Sequence, residues 1–227
     1  PQSEYADHAL YYKSYIDYAE GRYGRAKQGF TALQRSDAYR DVVPYYLLQI
    51  EFHEGNYRYV VENGGKLVQR AVPERRRELE RVIAESWFRL GDFNRTIEHL
   101  DAFTAAGGEL DRDGSYLMGF SLYRTARYPE AAEYLRRACG AEDALTQNAS
   151  YHLADCYLRA GDKRAAMHAF AMAADDRFDA TIAEDALFNY GKLQYELGGG
   201  AFNGAINVLT RYVEQYPASP RVGEART

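Results

Sequence analysis

Long apolar runs, prolines and cysteines are all scarce in this sequence, and each scarcity excludes a class of protein. No run of apolar residues approaches the roughly 18 to 20 that a membrane-spanning helix needs. Six prolines, and no Ser/Pro-rich or Gly/Ser-rich stretch, leave no evident linker between domains. We therefore expect one continuous architecture, the single array 1–227.

The two cysteines, Cys139 and Cys156, are too few to act as a disulfide framework. Their separation predicts that they lie on neighbouring helices, where a bridge is geometrically conceivable. The favoured interpretation is that both cysteines are free thiols.

A strong excess of charge of one sign is also missing. The 28 basic and 33 acidic side chains are scattered along the chain and give a net charge of −5. Such a distribution offers no face that would attract a phosphate backbone, which argues against a nucleic-acid partner. Apolar residues make up 46% of the chain and charged residues 27%, a balance typical of a folded protein with a core.

Six short segments share one layout, in which a small residue is followed two positions later, in most of them, by an aromatic residue. Their leading positions are 34 to 37 residues apart, close to the roughly 34-residue period of one class of helical repeat. The segments are Gly21–Tyr23, Gly55–Tyr57, Gly91–Phe93, Ala126–Tyr128, Gly161–Lys163 and, with two residues inserted, Gly198–Phe202.

The residues around each segment predict a pair of antiparallel helices. Apolar residues recur at steps of three and four, as in Ala166, Phe170 and Ala173. Each leading Gly is expected to end the first helix in the left-handed conformation, which Gly adopts without a Cβ penalty. We call the helix before each turn the A helix and the one after it the B helix.

Small residues recur at one place in the A helices, where they would let the B helix approach closely. These residues are Ser14, Ala84, Gly119, Ala154 and Gly191. The second unit departs from the pattern, with Leu48 at the small site, Val60 and Gly64 at unusual positions, and Pro44 in its first turn.

In combination these positions resemble the tetratricopeptide repeat (TPR), and the resemblance covers essentially the whole chain. It implies an all-α fold: a right-handed superhelix, or α-solenoid, of about six antiparallel helix-turn-helix units. The expected repeats are 4–37, 38–73, 74–109, 110–143, 144–178 and 179–219, with 220–227 starting a truncated next helix.

The two ends carry a narrower resemblance. Segment 1–10 and segment 212–220 are similar to the "YP-x-S-x-Y-A-D-x-A" junctions of bacterial cell-envelope TPR proteins. Those proteins include BamD-like outer-membrane assembly lipoproteins and the periplasmic coordinator of the Tol-Pal system. The resemblance implies a scaffold in the bacterial cell envelope, in the periplasm.

The same ends also align with each other, 216 residues or six repeats of 36 apart. Val222 and Ala225 predict the opening of a seventh A helix, which suggests a piece of a longer array. Position 1 is Pro1 and no signal-like stretch follows it. We expect a processed or deleted region ahead of it that could have carried a targeting signal.

The resemblance further implies that certain A-helix positions face inward and form a concave groove for a protein or peptide. Tyrosine suits such a surface because it offers large contact area at little cost in rotamer entropy. The opposing interpretation is that many of these aromatic residues only pack against neighbouring A helices. The predicted groove residues are Tyr11, Tyr15, Tyr18, Tyr45, Phe52, Phe88, Tyr116, Phe120, Tyr123, Arg124, Tyr151, Arg159 and Tyr195.

Two details refine this prediction. Tyr11, Tyr15 and Tyr18 are the first choice for the site, and their joint replacement by Ala is expected to leave the melting temperature near that of the parent. Arg89, Arg124 and Arg159 occupy one equivalent position and form a row that could hold an acidic group, although solvated side chains are the simpler interpretation.

Catalytic and metal-binding patterns find little support. His152 and Cys156 have the four-residue spacing of metal ligands on one helix face, but no further Cys/His cluster completes a site. The sequence has no Gly-rich phosphate loop or nucleophile elbow, and Gly198–Gly200 is read as a turn. We predict no enzyme activity, no cofactor and no metal.

The leading hypothesis is a non-enzymatic scaffold that binds a protein or peptide. Two alternatives stay open at this point. Tyrosine rings stack on sugar faces, so the same groove could recognise a glycan or peptidoglycan. The array could also belong to a longer chain with an enzyme domain elsewhere.

Overall fold

A computed structural model describes residues 4–175, 178–198 and 203–226, which form thirteen α-helices and no strand. The chain divides into two compact units, Pro1–Glu109 and Leu110–Thr227. The division coincides with the predicted end of the third repeat.

The first unit contains three helical hairpins. Its helices are α1 Glu4–Ala19, α2 Tyr23–Leu33, α3 Val43–His53, α4 Tyr57–Val68, α5 Pro73–Leu90 and α6 Phe93–Ala105. Each odd-numbered helix is the A helix of its hairpin. The B helix of one hairpin also contacts the A helix of the next, so the unit is a stack.

The second unit continues the same order. Its helices are α7 Arg112–Arg124, α8 Tyr128–Ala138, α9 Ala144–Arg159, α10 Lys163–Asp175, α11 Ala180–Leu197, α12 Asn203–Gln215 and the short α13 Val222–Ala225. Helix α13 starts where the sequence predicts a seventh A helix. The all-α fold of helix-turn-helix TPR units is confirmed.

The turns within the hairpins follow the predicted left-handed pattern with one exception. Gly21, Gly55, Gly91 and Gly161 have φ between +74° and +81°, and Ala126 takes the same role at φ +61°. Gly198 does not, because its φ of −69° keeps it right-handed, so the prediction for this glycine is wrong. The predicted turn Gly198–Gly200 lies largely outside the described residues.

Aspartates begin five of the described helices, and one of them is Asp162 before α10. Each accepts a hydrogen bond from a backbone N–H in the first turn, which satisfies a donor that the helix itself leaves unpaired. The others are Asp92 before α6, Asp111 before α7, Asp143 before α9 and Asp179 before α11. Asp143 also receives the guanidinium of Arg112, which holds the pKa of this carboxyl well below its ordinary range.

The predicted core positions of the B helices are buried. In α2, Ala26 and Phe30 are fully buried, and Phe30 stacks on Tyr46 of the next A helix with ring centroids 4.9 Å apart. In α8, Ala131 and Leu135 are fully buried as well. Within each unit, burial of these side chains against both neighbouring A helices holds one hairpin to the next.

The second hairpin packs by exchanging large and small residues. Leu48 occupies the usual small site of α3 and is 1% exposed. Opposite it, Gly64 lies so close to Ile83 that a Cβ at this glycine would be 2.6 Å from the Ile83 Cδ1. The large residue on α3 is thus matched by a missing side chain on α4, and the departure from the pattern is compensated.

The second unit contains the close helix approach that the small residues predict. A Cβ at Gly119 would be 2.8 Å from the backbone nitrogen of Leu135. Only a glycine fits between α7 and α8 at this distance, because real Cβ contacts essentially never fall below 3.0 Å.

The junction residues near the end of the chain have a structural role. Tyr212 of α12 is fully buried, and its hydroxyl forms a 2.6 Å hydrogen bond with the hydroxyl of Ser219. The segment after α12 is thereby held against that helix.

Candidate functional site

The tyrosines of α1 that were predicted to be the best groove residues differ in exposure. Tyr11 stacks on Tyr39 with ring centroids 4.4 Å apart, and Tyr18 meets Tyr46 edge-on at 5.4 Å. Both are half-buried and pack on the core cluster of the first unit. Only Tyr15 is exposed, at 43%.

This packing corrects the expected behaviour of the joint Ala variant. Removing the half-buried rings of Tyr11 and Tyr18 would open a cavity between α1 and α3, and each loss should cost less than the roughly 3–5 kcal/mol of a fully buried aromatic ring. The melting temperature would not stay near that of the parent. The hydroxyl of Tyr11 also donates to that of Tyr46, and burial raises the pKa of Tyr11.

On α3, Tyr45 connects to the next A helix. Its hydroxyl donates to the carboxylate of Glu78 on α5, and the guanidinium of Arg75 lies 5.4 Å above its ring. Burial, together with the bond to Glu78, raises the pKa of Tyr45. The ring is therefore fixed in place before any ligand arrives.

An open pocket of about 400 Å³ lies beside this pair, and we call it the α1–α3–α5 pocket. Its walls come from the three A helices of the first unit and from α6. The lining residues are Tyr18, Tyr45, Gln49, Glu78, Arg81, Val82 and Phe103. It combines aromatic walls, one amide and two opposite charges, which are the components of a small binding site.

The A helices of the second unit are joined in the same way as Tyr45 and Glu78. The Tyr123 hydroxyl of α7 donates to Asp155 of α9 at 2.9 Å, and the Tyr151 hydroxyl of α9 donates to Asp185 of α11 at 2.7 Å. Burial and the neighbouring carboxylate raise the pKa of Tyr123 to about 12. These hydroxyl groups link helices rather than point freely into a groove.

Tyrosine–carboxylate pairs between successive A helices are the feature that sequence reasoning missed. Their partners are 33, 32 and 34 residues apart for Tyr45, Tyr123 and Tyr151. An acidic residue about one repeat after an A-helix tyrosine was the available signal.

His152 lies between two aromatic rings of the preceding A helix. Its ring centroid is 4.9 Å from that of Phe120 and 4.8 Å from that of Tyr123. Its Nδ1 is buried and has no hydrogen-bond partner within the described residues. Burial lowers the pKa of His152 to about 4, a shift that Arg124 reinforces and Asp155 opposes.

The arginine row has partners inside the chain. Arg89 pairs with Glu85 at 3.5 Å, and Arg159 pairs with Asp155 at 2.8 Å. Arg124 lies over the Phe120 ring, 5.7 Å from its centroid. A ligand's acidic group would therefore have to compete with existing contacts.

The remaining predicted residues are spread over both units. Phe52 packs on the core of the second hairpin, and Phe88 meets Phe93 edge-on at 5.8 Å. Tyr116 stacks on Phe120 at 5.7 Å. Tyr195 is 58% exposed.

The candidate metal ligands and the two cysteines can be located in the structure. Across the described ranges, no three His, Cys, Asp or Glu side chains come together as a metal site would need. Cys139 and Cys156 are both free thiols. Cys139 follows α8 as its C-cap rather than lying on a helix, which corrects the predicted placement. Burial raises the pKa of Cys156 to about 12.

Among the described helices, none combines the length and the apolar character that crossing a bilayer requires.

Comparison with known protein families identifies the repeats. The family model of the tetratricopeptide repeat matches residues 148–176 and 185–219, which cover most of α9–α12. These two stretches are tetratricopeptide repeats. The same helix-turn-helix unit recurs in the first unit of the chain, so the tetratricopeptide repeat architecture extends beyond the matched residues.

Several solved structures share this fold. YrrB, described as a TPR protein with an unusual peptide-binding site, is 15% identical with a TM-score of 0.66, over 87% of this chain and 97% of that chain. BtubC (BKLC) from P. vanneervenii is 16% identical with a TM-score of 0.56, over 87% and 89%.

A third structure is the C-terminal part of a TPR repeat-containing protein from Cytophaga hutchinsonii. It is 9% identical with a TM-score of 0.57, over 96% of this chain and 99% of that chain. At these identities the likeness establishes the fold alone. No curated protein matches the sequence.

Proposed function

We propose that the chain is a non-catalytic scaffold that binds an extended protein or peptide segment along the A-helix faces of its repeats. The observation that carries this proposal is the α1–α3–α5 pocket, which three successive A helices line. Tetratricopeptide repeat proteins commonly mediate protein–protein interaction, and one structural neighbour is described as having a peptide-binding site.

The pocket supports binding because its walls are held before a ligand arrives. The bond from Tyr45 to Glu78 and the packing of Tyr18 on Tyr46 fix two of the rings. A preorganised surface loses little conformational entropy on binding. Tyr15 of α1 adds an exposed ring on the same helix as Tyr18.

We further propose that this scaffold belongs to the bacterial cell envelope and that its partner is not a nucleic acid. The resemblance of segments 1–10 and 212–220 to junctions of envelope proteins supports a scaffold in the bacterial cell envelope, in a periplasmic complex. The mixed charge, 28 basic against 33 acidic residues, supports a protein or peptide partner rather than a nucleic acid.

The test uses random 12-residue peptides displayed on phage and panned against the full chain. Selected peptides are then measured against two variants, Tyr15→Ala and Tyr59→Ala. The two tyrosines are equally exposed, at 43% and 45%, but Tyr15 lies on an A helix and Tyr59 on the B helix α4. We expect about a tenfold loss of affinity for the first variant, as for truncation of an aromatic contact residue.

Tyr59→Ala should bind as the parent does. Equal affinity in both variants, or a loss confined to Tyr59→Ala, would place the binding surface away from the A helices. Failure of the parent to select any peptide would remove the proposed function itself.

A further inference from the structure

A second pocket of the first unit collects arginines. It has a volume of about 270 Å³ and lies where the turn before α3, the end of α4 and the start of α5 meet, and we call it the α3–α4–α5 pocket. Arg40, Arg70 and Arg75 line it, and Asp41 is the one carboxylate among its described lining residues. Three positive charges therefore meet one negative charge, in a chain whose charges are otherwise scattered.

Two of these three guanidinium groups have no ionic partner. In the part of the chain that the structure describes, neither Arg70 nor Arg75 forms an ion pair. Arg75 is half-buried and lies 5.4 Å from the centroid of the Tyr45 ring, which positions it without neutralising its charge. Arg40 pairs with Asp37 at 3.2 Å, and this pair is weak because both side chains are largely exposed. An incoming anion can therefore pair with these arginines without breaking a strong contact.

The start of α5 favours an anion in the same place. Aspartates cap five of the described helices, whereas the residue before α5 is Val72, which offers no side-chain cap and lines the pocket. The unpaired N–H groups at the start of a helix carry a partial positive charge. Glu74 in the first turn of α5 offsets part of this charge, but it is not among the residues that line the pocket.

The excess of two positive charges favours a phosphate monoester over a carboxylate. A phosphate monoester carries about −1.5 to −2 charges at neutral pH, about twice the charge of a carboxylate. The planar guanidinium group also bonds phosphate oxygens in pairs.

The remaining wall of the pocket is apolar. It includes Leu67, Val72 and Leu79, and Leu79 is 1% exposed. Such a wall suits an apolar group attached to the phosphate. A volume of about 270 Å³ has room for the phosphate and one group the size of a ring.

We propose that the α3–α4–α5 pocket binds a phosphate monoester with an apolar carrier, and that the phosphate pairs with Arg70 and Arg75. Asp41 repels the same phosphate and limits the affinity. The site differs from the α1–α3–α5 pocket, although Tyr45 lines both. The inference goes beyond the proposed function, and since peptides from a phage library carry no phosphate, either one can fail alone.

Isothermal titration calorimetry of the full chain, at constant ionic strength and a pH above the second phosphate pKa of about 6, tests the site. The probes are phenyl phosphate, inorganic phosphate, sulfate, benzoate and N-acetyl phosphotyrosine amide. We expect phenyl phosphate to bind more tightly than benzoate, which has the ring but a single charge. It should also bind more tightly than inorganic phosphate, which lacks the ring.

The phosphotyrosine probe distinguishes two sources of the same chemistry. Tighter binding than that of phenyl phosphate assigns the pocket to a phosphorylated side chain, because the probe adds the peptide groups on either side of the residue. Equal or weaker binding assigns the pocket to a small molecule.

Arg70→Gln should bind phenyl phosphate about tenfold more weakly, because a charged donor is lost. Arg58→Gln is the matched control and should keep the affinity of the parent. Arg58 is exposed on α4, forms no ion pair in the described residues and does not line the pocket, and its replacement changes the net charge equally.

Asp41→Asn should bind phenyl phosphate about three- to tenfold more tightly, because it removes the repulsive carboxylate. Within the described ranges, the side chains of Arg70 and Asp41 form no hydrogen bond or ion pair. Both variants should therefore melt near the temperature of the parent.

Equal losses in Arg70→Gln and Arg58→Gln would reveal a general effect of charge and overturn the inference. Unchanged or weaker binding by Asp41→Asn would overturn it as well. If inorganic phosphate and sulfate bind as tightly as phenyl phosphate, the pocket holds an adventitious ion only. Tighter binding of benzoate would indicate a carboxylate site, and a lack of binding by every probe would leave no anion site at all; both results refute the inference and leave the proposed function standing.

Discussion

The hydroxyl of Tyr151 on α9 donates a 2.7 Å hydrogen bond to the carboxylate of Asp185 on α11, and so joins two A helices that belong to successive hairpins. Asp185 also receives Arg221 and the side-chain amide of Asn189. The bond is charge-assisted and half-buried, which places it among the stronger side-chain contacts.

Replacing Tyr151 by Phe should therefore reduce the free energy of unfolding by about 1–2 kcal/mol, because the ring stays while the bond to a charged acceptor is lost. Urea denaturation followed by circular dichroism measures the change. Tyr157→Phe, on the same helix, is the control, since the hydroxyl of Tyr157 has no hydrogen-bond partner in the part of the chain that the structure describes. Equal changes in the two variants would contradict the structural role of the Tyr151–Asp185 bond.

Gly119 should tolerate no side chain. Gly119→Ala places a Cβ against the backbone of Leu135, so we expect a loss of about 1–3 kcal/mol despite the higher helix propensity of Ala. At Gly65 on α4 an added Cβ meets nothing within 4 Å, so Gly65→Ala should stabilise the protein by up to about 1 kcal/mol. Thermal melting of the two variants gives the signs directly, and a stabilising Gly119→Ala would refute the close approach of α7 and α8.

The stability of the protein should fall as the pH drops from 7 to 5, in part through His152. In the folded chain burial lowers the pKa of this residue to about 4 from an ordinary value of 6.5, so the unfolded chain binds the additional proton in this range. The contribution of His152 is present above pH 6.5 and is lost as the pH falls toward 4. Between pH 7 and pH 5 it amounts to about 2 kcal/mol.

The measurement is the unfolding free energy of His152→Phe at both pH values, compared with the parent. The pH dependence should be smaller in the variant by that amount, since Phe does not titrate. His168→Gln, at an exposed position of α10, is the control and should keep the slope of the parent. A parent-like slope in His152→Phe would contradict the assignment.

The two thiols should react at different rates. Burial raises the pKa of Cys156 to about 12, so little thiolate forms at neutral pH, whereas Cys139 at the end of α8 is only half-buried. Iodoacetamide labelling of the folded chain, followed by peptide mass spectrometry, should find Cys139 modified first. Faster labelling of Cys156, or a disulfide between the two, would contradict this order.

Particular residues show how far the sequence alone reaches. The spacing of Gly21, Gly55 and Gly91 was sufficient to predict the hairpins, because a left-handed turn residue is a local requirement. The exchange of Leu48 and Gly64 was not predictable, because packing depends on pairs of positions while a repeat pattern treats each position separately.

The same limit applies to the site. Tyr11 and Tyr15 look equivalent on a helical projection, but Tyr39, in the turn segment before α3, covers Tyr11 and leaves Tyr15 exposed. The sequence named Tyr45 correctly as an A-helix residue and could not show that its hydroxyl bonds to Glu78.

The fully buried Gln147 of α9 donates from its Nε2 to the carbonyls of Ala173 and Asp179 and accepts at its Oε1 from the backbone N–H of Asp179. These bonds bear on how the second unit unfolds. Repeat proteins are coupled mainly between nearest neighbours, through contacts that can be weakened gradually. A single amide that bonds simultaneously to the end of α10 and the start of α11 adds a directional link across that boundary. Opening any one of these three helices breaks it, so amide hydrogen exchange should find α9, α10 and the first turn of α11 in one cooperative block.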